Sequence, residues 1–236
     1  MSRAKVVAIV QARMGSTRLP GKTMAEICGK PLLQHLLERL QRARSLDAIV
    51  VATTERAEDD VIADFARAFG VGVFRGSSED VLDRFVKAAE AWEAQVVVRI
   101  CADSPLTDPA QVDRAVESHL AQQPDYTYNH LPACGLPDGT GAEVISIEAL
   151  RRVSRVATSP QHREHVTKYI LDNPKEFRVQ MVMAEPDVSR PDLRVDVDTP
   201  QDLALLREIH QALYRPDRPL DIKDVIVWMD KQRAKT

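Results

Sequence analysis

The sequence predicts an α/β fold, a mostly parallel sheet with helices on both faces that becomes mixed toward its C-terminal part. Two observations carry this expectation. Short β-branched runs alternate with segments of helical period through the first half of the chain, as successive βα units do, and a basic loop with two glycines follows the first run directly. That first run spans 6–10. The segment 32–43 then sets Leu33, Leu36, Leu37 and Leu40 on one helical face. The alternation continues with strands at 48–52, 71–74 and 96–100 and helices at 59–69, 79–92 and 109–122. Ser77 or Ser78 signals the start of the 79–92 helix, and Asp108 caps the next one ahead of a first-turn proline, Pro109.

From Pro124 the rhythm weakens into turn-rich sequence. Strands are expected at 142–147 and 178–183, helices at 148–156 and 164–171, and 175–197 reads as antiparallel or mixed. Two helices follow, 200–213 and 221–231, separated by the break Arg215-Pro-Asp-Arg-Pro219. No internal repeat or low-complexity linker interrupts the 236 residues, so 1–236 reads as one domain.

Composition narrows the function classes. With 44% hydrophobic and 28% charged residues the chain is globular in type. A net charge of -3 supplies no global field to recruit nucleic acid or an anionic membrane, so neither is an expected partner and any anion binding must be local. Cys28, Cys101 and Cys134 are far apart and form no Cys-x-x-Cys pair, which fits a reducing, cytoplasmic setting. The short apolar run near the start lacks a small-residue cleavage site, and no apolar stretch is long enough to span a bilayer, so neither an export signal nor a membrane anchor is expected.

The loop Gln11-Ala-Arg-Met-Gly-Ser-Thr-Arg-Leu-Pro-Gly-Lys22 is the most informative segment. Three cations, Arg13, Arg18 and Lys22, lie where a doubly wound sheet binds ligands, outside the carboxyl ends of its strands, and suit a polyphosphate. A P-loop is refused by spacing: five residues separate Gly15 from Gly21 where four are needed, and Pro20 removes an amide. No G-x-G-x-x-G dinucleotide fingerprint is present.

Ala12-Arg13-x-x-Ser16-x-Arg18-Leu19-Pro20-x-Lys22 resembles the signature of the cytidylyltransferases that activate acidic sugars. The likeness extends through Gly29-Lys-Pro-Leu32, Ala52-Thr-Thr54, the stretch from Phe74 to Arg84, Asp103-Ser-Pro-Leu106, Arg163-Glu-His-Val-Thr167 and Asp198-Thr-Pro-Gln-Asp-Leu203, and is strongest to the spore coat polysaccharide group. The resemblance implies a three-layer, Rossmann-like fold of the nucleotide-diphospho-sugar transferase type. Residues 1–123 would form a nucleotide-binding half, 124–199 an acceptor side and 200–236 terminal helices. It implies transfer of CMP from CTP to an anionic small-molecule acceptor (an acidic sugar, a phosphate or a phosphonate) with release of pyrophosphate. It further implies Mg2+ and a homodimer, for which Trp228 and the C-terminal helices are a candidate interface.

Asp103 ends an apolar strand and should project from its carboxyl end; Asp196 and Asp198 do the same for 193–197. Magnesium takes oxygen ligands, often one or two carboxylates completed by phosphates and water. By the resemblance Asp103 and Asp198 hold the metal, while Asp198 alternatively caps the helix starting at Pro200. Arg13, Lys22 and Asp103 are the expected catalytic residues. Ala12, Gly15, Ser16, Arg18, Thr53, Gly76, Arg84 and Ala102 are expected around the nucleotide, and Glu143, Arg163 and His165 around the acceptor. Two departures from the family's pattern stand out: Ala102 where glycine is usual before the metal aspartate, and Gly141-Ala-Glu143 where it has D-x-E. The tripeptide Asp196-Val-Asp198 admits a sugar-nucleotide glycosyltransferase as the enzyme alternative, and a non-catalytic nucleotide-binding subunit is the other.

Overall fold

A computed structural model describes residues 3–215, 218 and 220–234. The first two residues of the stretch read for an export signal, and part of the break at 215–219, lie outside the described residues.

The chain opens with β1 (Val6–Gln11), a small ribbon of β2 (Glu26–Ile27) and β3 (Lys30–Pro31), and α1 (Leu32–Leu40). It continues through β4 (Ala48–Thr54), α2 (Asp60–Phe69), β5 (Gly72–Gly76), α3 (Val81–Ala91), β6 (Val96–Cys101) and α4 (Pro109–Gln122). The second half adds β7 (Tyr126–Tyr128), β8 (Glu143–Ser146), α5 (Ile147–Val156), α6 (Pro160–Glu164), α7 (Lys168–Asp172) and β9 (Val179–Met181). It closes with α8 (Pro200–Leu213) and α9 (Ile222–Arg233).

Seven strands form one sheet in the order β5-β4-β1-β6-β8-β7-β9. β5, β4, β1 and β6 pair in parallel; β8 runs antiparallel to both its neighbours, and β9 is parallel to β7, so a single reversed strand makes the sheet mixed. β1 is central and apolar on both sides, and its alternation assigns the two layers. Val6, Ala8 and Val10 pack against Leu33, Leu37, Ile62 and Val116 of α1, α2 and α4, whereas Val7 and Ile9 face Leu82, Phe85, Leu150 and Val153 of α3 and α5. A third cluster joins α8 and α9 to Leu106, Leu136, Val195 and Val197, with Trp228 partly buried against it. No helix among the described residues is long and apolar enough to cross a membrane.

The differences from expectation are local. The turn-rich stretch after Pro124 contains β7, whose three residues lie within dense turn signals. The helix expected over 164–171 is two helices, because Ser159 accepts a hydrogen bond from His162 N and starts α6 early, and the chain bends before α7. Asp80, not Ser77 or Ser78, caps α3. The run 193–197 stays outside the sheet: Val195 N donates to Asp138 O and Val197 N to Asp103 O, which brings the following residue, Asp198, to the end of β6.

Candidate active site

After β1 the chain builds β4 and β5 on one side, then crosses back to lay β6 on the other. Loops leaving β1 and β6 therefore diverge at their carboxyl ends, the switch point where open α/β sheets bind ligands. A cleft of about 230 Å³ opens there. Gln11, Ala12, Cys101 and Ala102 form its floor; the basic loop, Arg84 of α3 and the Glu164–His165 turn form its walls.

The loop is tied down at several points. Met14 N donates to the buried Asp59 (2.6 Å), which also accepts from the Thr54 hydroxyl, and Met14 O receives the amides of Ser16 (2.8 Å) and Gly21 (2.9 Å). Gly21 has φ of 75°, a left-handed conformation that suits glycine, and Thr23 Oγ1 donates to Arg13 O at 3.0 Å. Arg13, Arg18 and Lys22 all reach the cleft.

Lys22 lies at the centre of the charges. Its Nζ donates to Asp103 Oδ2 (3.0 Å), Asp198 Oδ1 (3.0 Å) and Val197 O (2.7 Å), and its side chain is only 11% exposed. Arg18 also reaches Asp198 Oδ1 (2.8 Å), and Arg194 takes Oδ2 (2.7 Å). Burial pushes the Asp198 carboxyl up, but these three cations outweigh it and hold its pKa below the ordinary value. Asp198 does not cap α8: Thr199 does, in a capping box with Asp202. Asp196 directs both oxygens to Arg194, so the D-x-D spelling does not present two carboxylates together.

Arg84 is 2% exposed, yet its guanidinium has one described partner, the carbonyl of Ser77, and its Nε has none. Burial, and then the nearby Arg13, lower its pKa to about 10. A buried cation without a carboxylate, at the wall of a cleft, is arranged to meet an anion or the lone pairs of a base.

The remaining expected residues divide. Ser16, Ala102 and His165 line the cleft; Gly15 lines an adjoining hollow with Arg13, and Gly76 a separate one beside α3. Thr53 is fully buried and its hydroxyl unpartnered. Arg163 is turned onto Asp80 and the carbonyl of Ser154, tying α6 to α3. Glu143 lies beneath the floor, 4% exposed, its oxygens taken by Arg99, Tyr126 and Thr167. Burial raises its pKa, but Arg99, then His130, Thr167 and Tyr126, bring it down to about 2.

Two cleft features were not anticipated. Arg99 Nη2 donates to Gln11 Oε1 (3.1 Å), which leaves the Gln11 amide nitrogen as the free, donating end of that side chain. Arg194, four residues before Asp198 on the extended run beside the cleft, covers its second oxygen. The first was signalled by Arg99 breaking an apolar strand; the second had no local signal, since the segment is extended. Burial raises the Cys101 thiol to about 12, so nothing here activates it as a thiolate.

The family model described as cytidylyltransferase matches residues 7–217. The chain belongs to the cytidylyltransferase family. It is 38% identical to the spore coat polysaccharide biosynthesis protein SpsF of Bacillus subtilis over 218 residues, 90% of this chain and 89% of that one. It is 41% identical to a 3-deoxy-manno-octulosonate cytidylyltransferase of Geobacter sulfurreducens over 121 residues, 50% of this chain and 46% of that enzyme. The fold is similar to that of a cytidylyltransferase from Leptospira borgpetersenii, with a TM-score of 0.91 and 29% identity, covering 98% of this chain and 96% of the other. This cytidylyltransferase is thus a nucleotidyltransferase on the nucleotide-diphospho-sugar transferase fold.

Proposed function

We propose that the protein transfers CMP from CTP to an acidic sugar or to a phosphate- or phosphonate-bearing acceptor. The observation that carries this is the convergence of Lys22, Arg18, Asp103 and Asp198 at the mouth of the cleft, with Arg13 and Arg84 on its walls. An acceptor oxygen attacks the α-phosphorus; the bond to the bridging oxygen breaks, and pyrophosphate leaves with the electron pair. Arg13, Arg18 and Lys22 hold the triphosphate and neutralise charge on the leaving group, the electrostatic contribution that phosphoryl chemistry favours. Arg84 supplies donors to the nucleotide. Gln11 and His165 face the acceptor, and an acceptor already ionised needs no general base.

Asp103 and Asp198 would hold Mg2+. What supports this is the donor set: Asp103 Oδ2, Asp198 Oδ1 and Val197 O all reach one point, now taken by the Lys22 ammonium, and all are hard oxygens. No group of three or more His, Cys, Asp or Glu side chains clusters as a metal cage among the described residues, so phosphates and water would complete the shell. Bound there, the ion would withdraw charge from the phosphate oxygens. A homodimer acting in the cytosol completes the reading.

Pyrophosphate release with each of the four NTPs and magnesium, crossed with acidic sugars, sugar phosphates and phosphonates, tests it. CTP-specific release with one acceptor class is the expected result; release with another nucleotide alone, or CTP binding without release on every acceptor, overturns it.

A further inference from the structure

Lys22 cannot grip a triphosphate and bind both carboxylates at once. An ammonium has three donors. All three are engaged, by Asp103, Asp198 and Val197 O, and none is left for a phosphate oxygen. Asp198 is engaged to the same degree, with Lys22 and Arg18 on one oxygen and Arg194 on the other. Three cations thus crowd these two carboxylates, Arg194 being shared with Asp196, and a divalent ion approaching them meets oxygens already in use.

We propose that Lys22 is an internal stand-in for the divalent cation. In the nucleotide-free protein its ammonium closes the Asp103–Asp198 site, and a nucleoside triphosphate opens the site by drawing Lys22 and Arg18 onto its phosphates. Cation and nucleotide then enter as one event. The inference rests on the reading of Asp103 and Asp198 as cation ligands. Only a side chain has to move. Gly21 N on Met14 O and Thr23 Oγ1 on Arg13 O fix the backbone on both sides of Lys22, while its flexible four-carbon stem lets the ammonium be repositioned without moving that backbone. Arg18, 63% exposed, is the outermost of the cations and the first that an incoming triphosphate meets.

The test is Mn2+ binding to the full chain without nucleotide, followed by electron paramagnetic resonance. Wild type binds Mn2+ weakly, and Lys22→Met binds one ion about tenfold or more tightly than wild type, since a charged, desolvated hydrogen-bonding group no longer holds the position. Arg18→Met removes the same charge from the same carboxylate but leaves the ammonium in place, and it gives a clearly smaller gain. Adding Asp103→Asn to Lys22→Met abolishes the gain. Equal tightening by Lys22→Met and Arg18→Met, or wild-type affinity already equal to that of Lys22→Met, overturns the occlusion and leaves the carboxylates as ligands. A gain that survives Asp103→Asn places the ion elsewhere and removes the metal reading itself. A second measurement needs no variant to fold: with ¹⁵N-labelled lysines, metal-free CTP shifts the hydrogen-bonded Lys22 ammonium resonance of the wild-type protein and Mg2+ alone does not. A shift with Mg2+ alone overturns the proposal.

Discussion

Two charge clusters sit at the same edge of the sheet and are built in opposite ways. Around Lys22, three cations share Asp103, Asp196 and Asp198, Arg18 and Arg194 are half exposed or more, and oxygens of Asp103 and Asp198 face a cleft. Around Glu143, one guanidinium meets one carboxylate below the floor, and two hydroxyls take the oxygen that Arg99 leaves. The first cluster lies at the cleft with exposed guanidinium groups and partners that can be exchanged for phosphate. The second is buried, with the side chains of Arg99 and Glu143 12% and 6% exposed. Charges that act keep replaceable partners, while charges that build are matched and sealed.

The contrast predicts separable failures. Asp103→Asn should lower pyrophosphate release by about 10²–10³-fold or more with the unfolding midpoint unchanged, measured by turnover and urea titration on the same preparation. Near-wild-type turnover would remove Asp103 from the acting cluster. Glu143→Ala should instead unfold: stranding Arg99 in the interior costs about 3–5 kcal/mol. The same group sets an acid limb. Its folded pKa, about 2, lies below the ordinary 4.5, so its contribution to stability is complete above that ordinary value and is lost as pH falls through about 2. A urea midpoint that is flat between neutral pH and pH 2–3, or that does not flatten in Glu143→Gln, would break the comparison from its structural side.

Arg84 belongs to neither type, being buried yet unmatched. Replacing it with Met should stabilise the free protein by about 1 kcal/mol, because a desolvated charge is removed, while CTP binding weakens. Thermal unfolding and calorimetric titration read the two effects, and stabilisation without weaker binding would leave Arg84 no ligand. The smallest effect is expected at Arg18. As an exposed side chain it should leave stability within about 0.5 kcal/mol when changed to Gln. The KM for CTP should rise severalfold, with less difference at high salt. A salt-independent rise would argue for a buried contact instead.

Much of this arrangement is legible in the sequence where local physics decides it. The βα rhythm through residue 122 depends on periodicity and caps, and the basic loop's place follows from the sheet's topology. Asp103 is readable because a strand end must deliver its next residues to the ligand edge. Glu143 is not: whether a strand-end carboxylate faces the cleft or the interior is decided by Arg99 on the adjacent strand and by Tyr126 and Thr167, which are distant in sequence. Short β7 and the route of 193–197 fail for the same reason, whereas the early start of α6 has a local signal in Ser159-Pro160. β7 and 193–197 are fixed by hydrogen bonds to remote backbone, such as Val197 N on Asp103 O, and not by a local pattern.

Lys22 meets Asp103 across 81 positions of chain and Asp198 across 176. The four parallel strands β5, β4, β1 and β6 are all encoded before residue 102, so a growing polypeptide can pair them long before the last aspartate is synthesised. During that interval Lys22 of the basic loop has Asp103 but not yet Asp198 as a partner. Loop closure over so many residues makes the arrival of Asp198 a late, slow contact. The order of synthesis therefore supplies the strands that frame the cleft before it supplies the last carboxylate of the charge cluster.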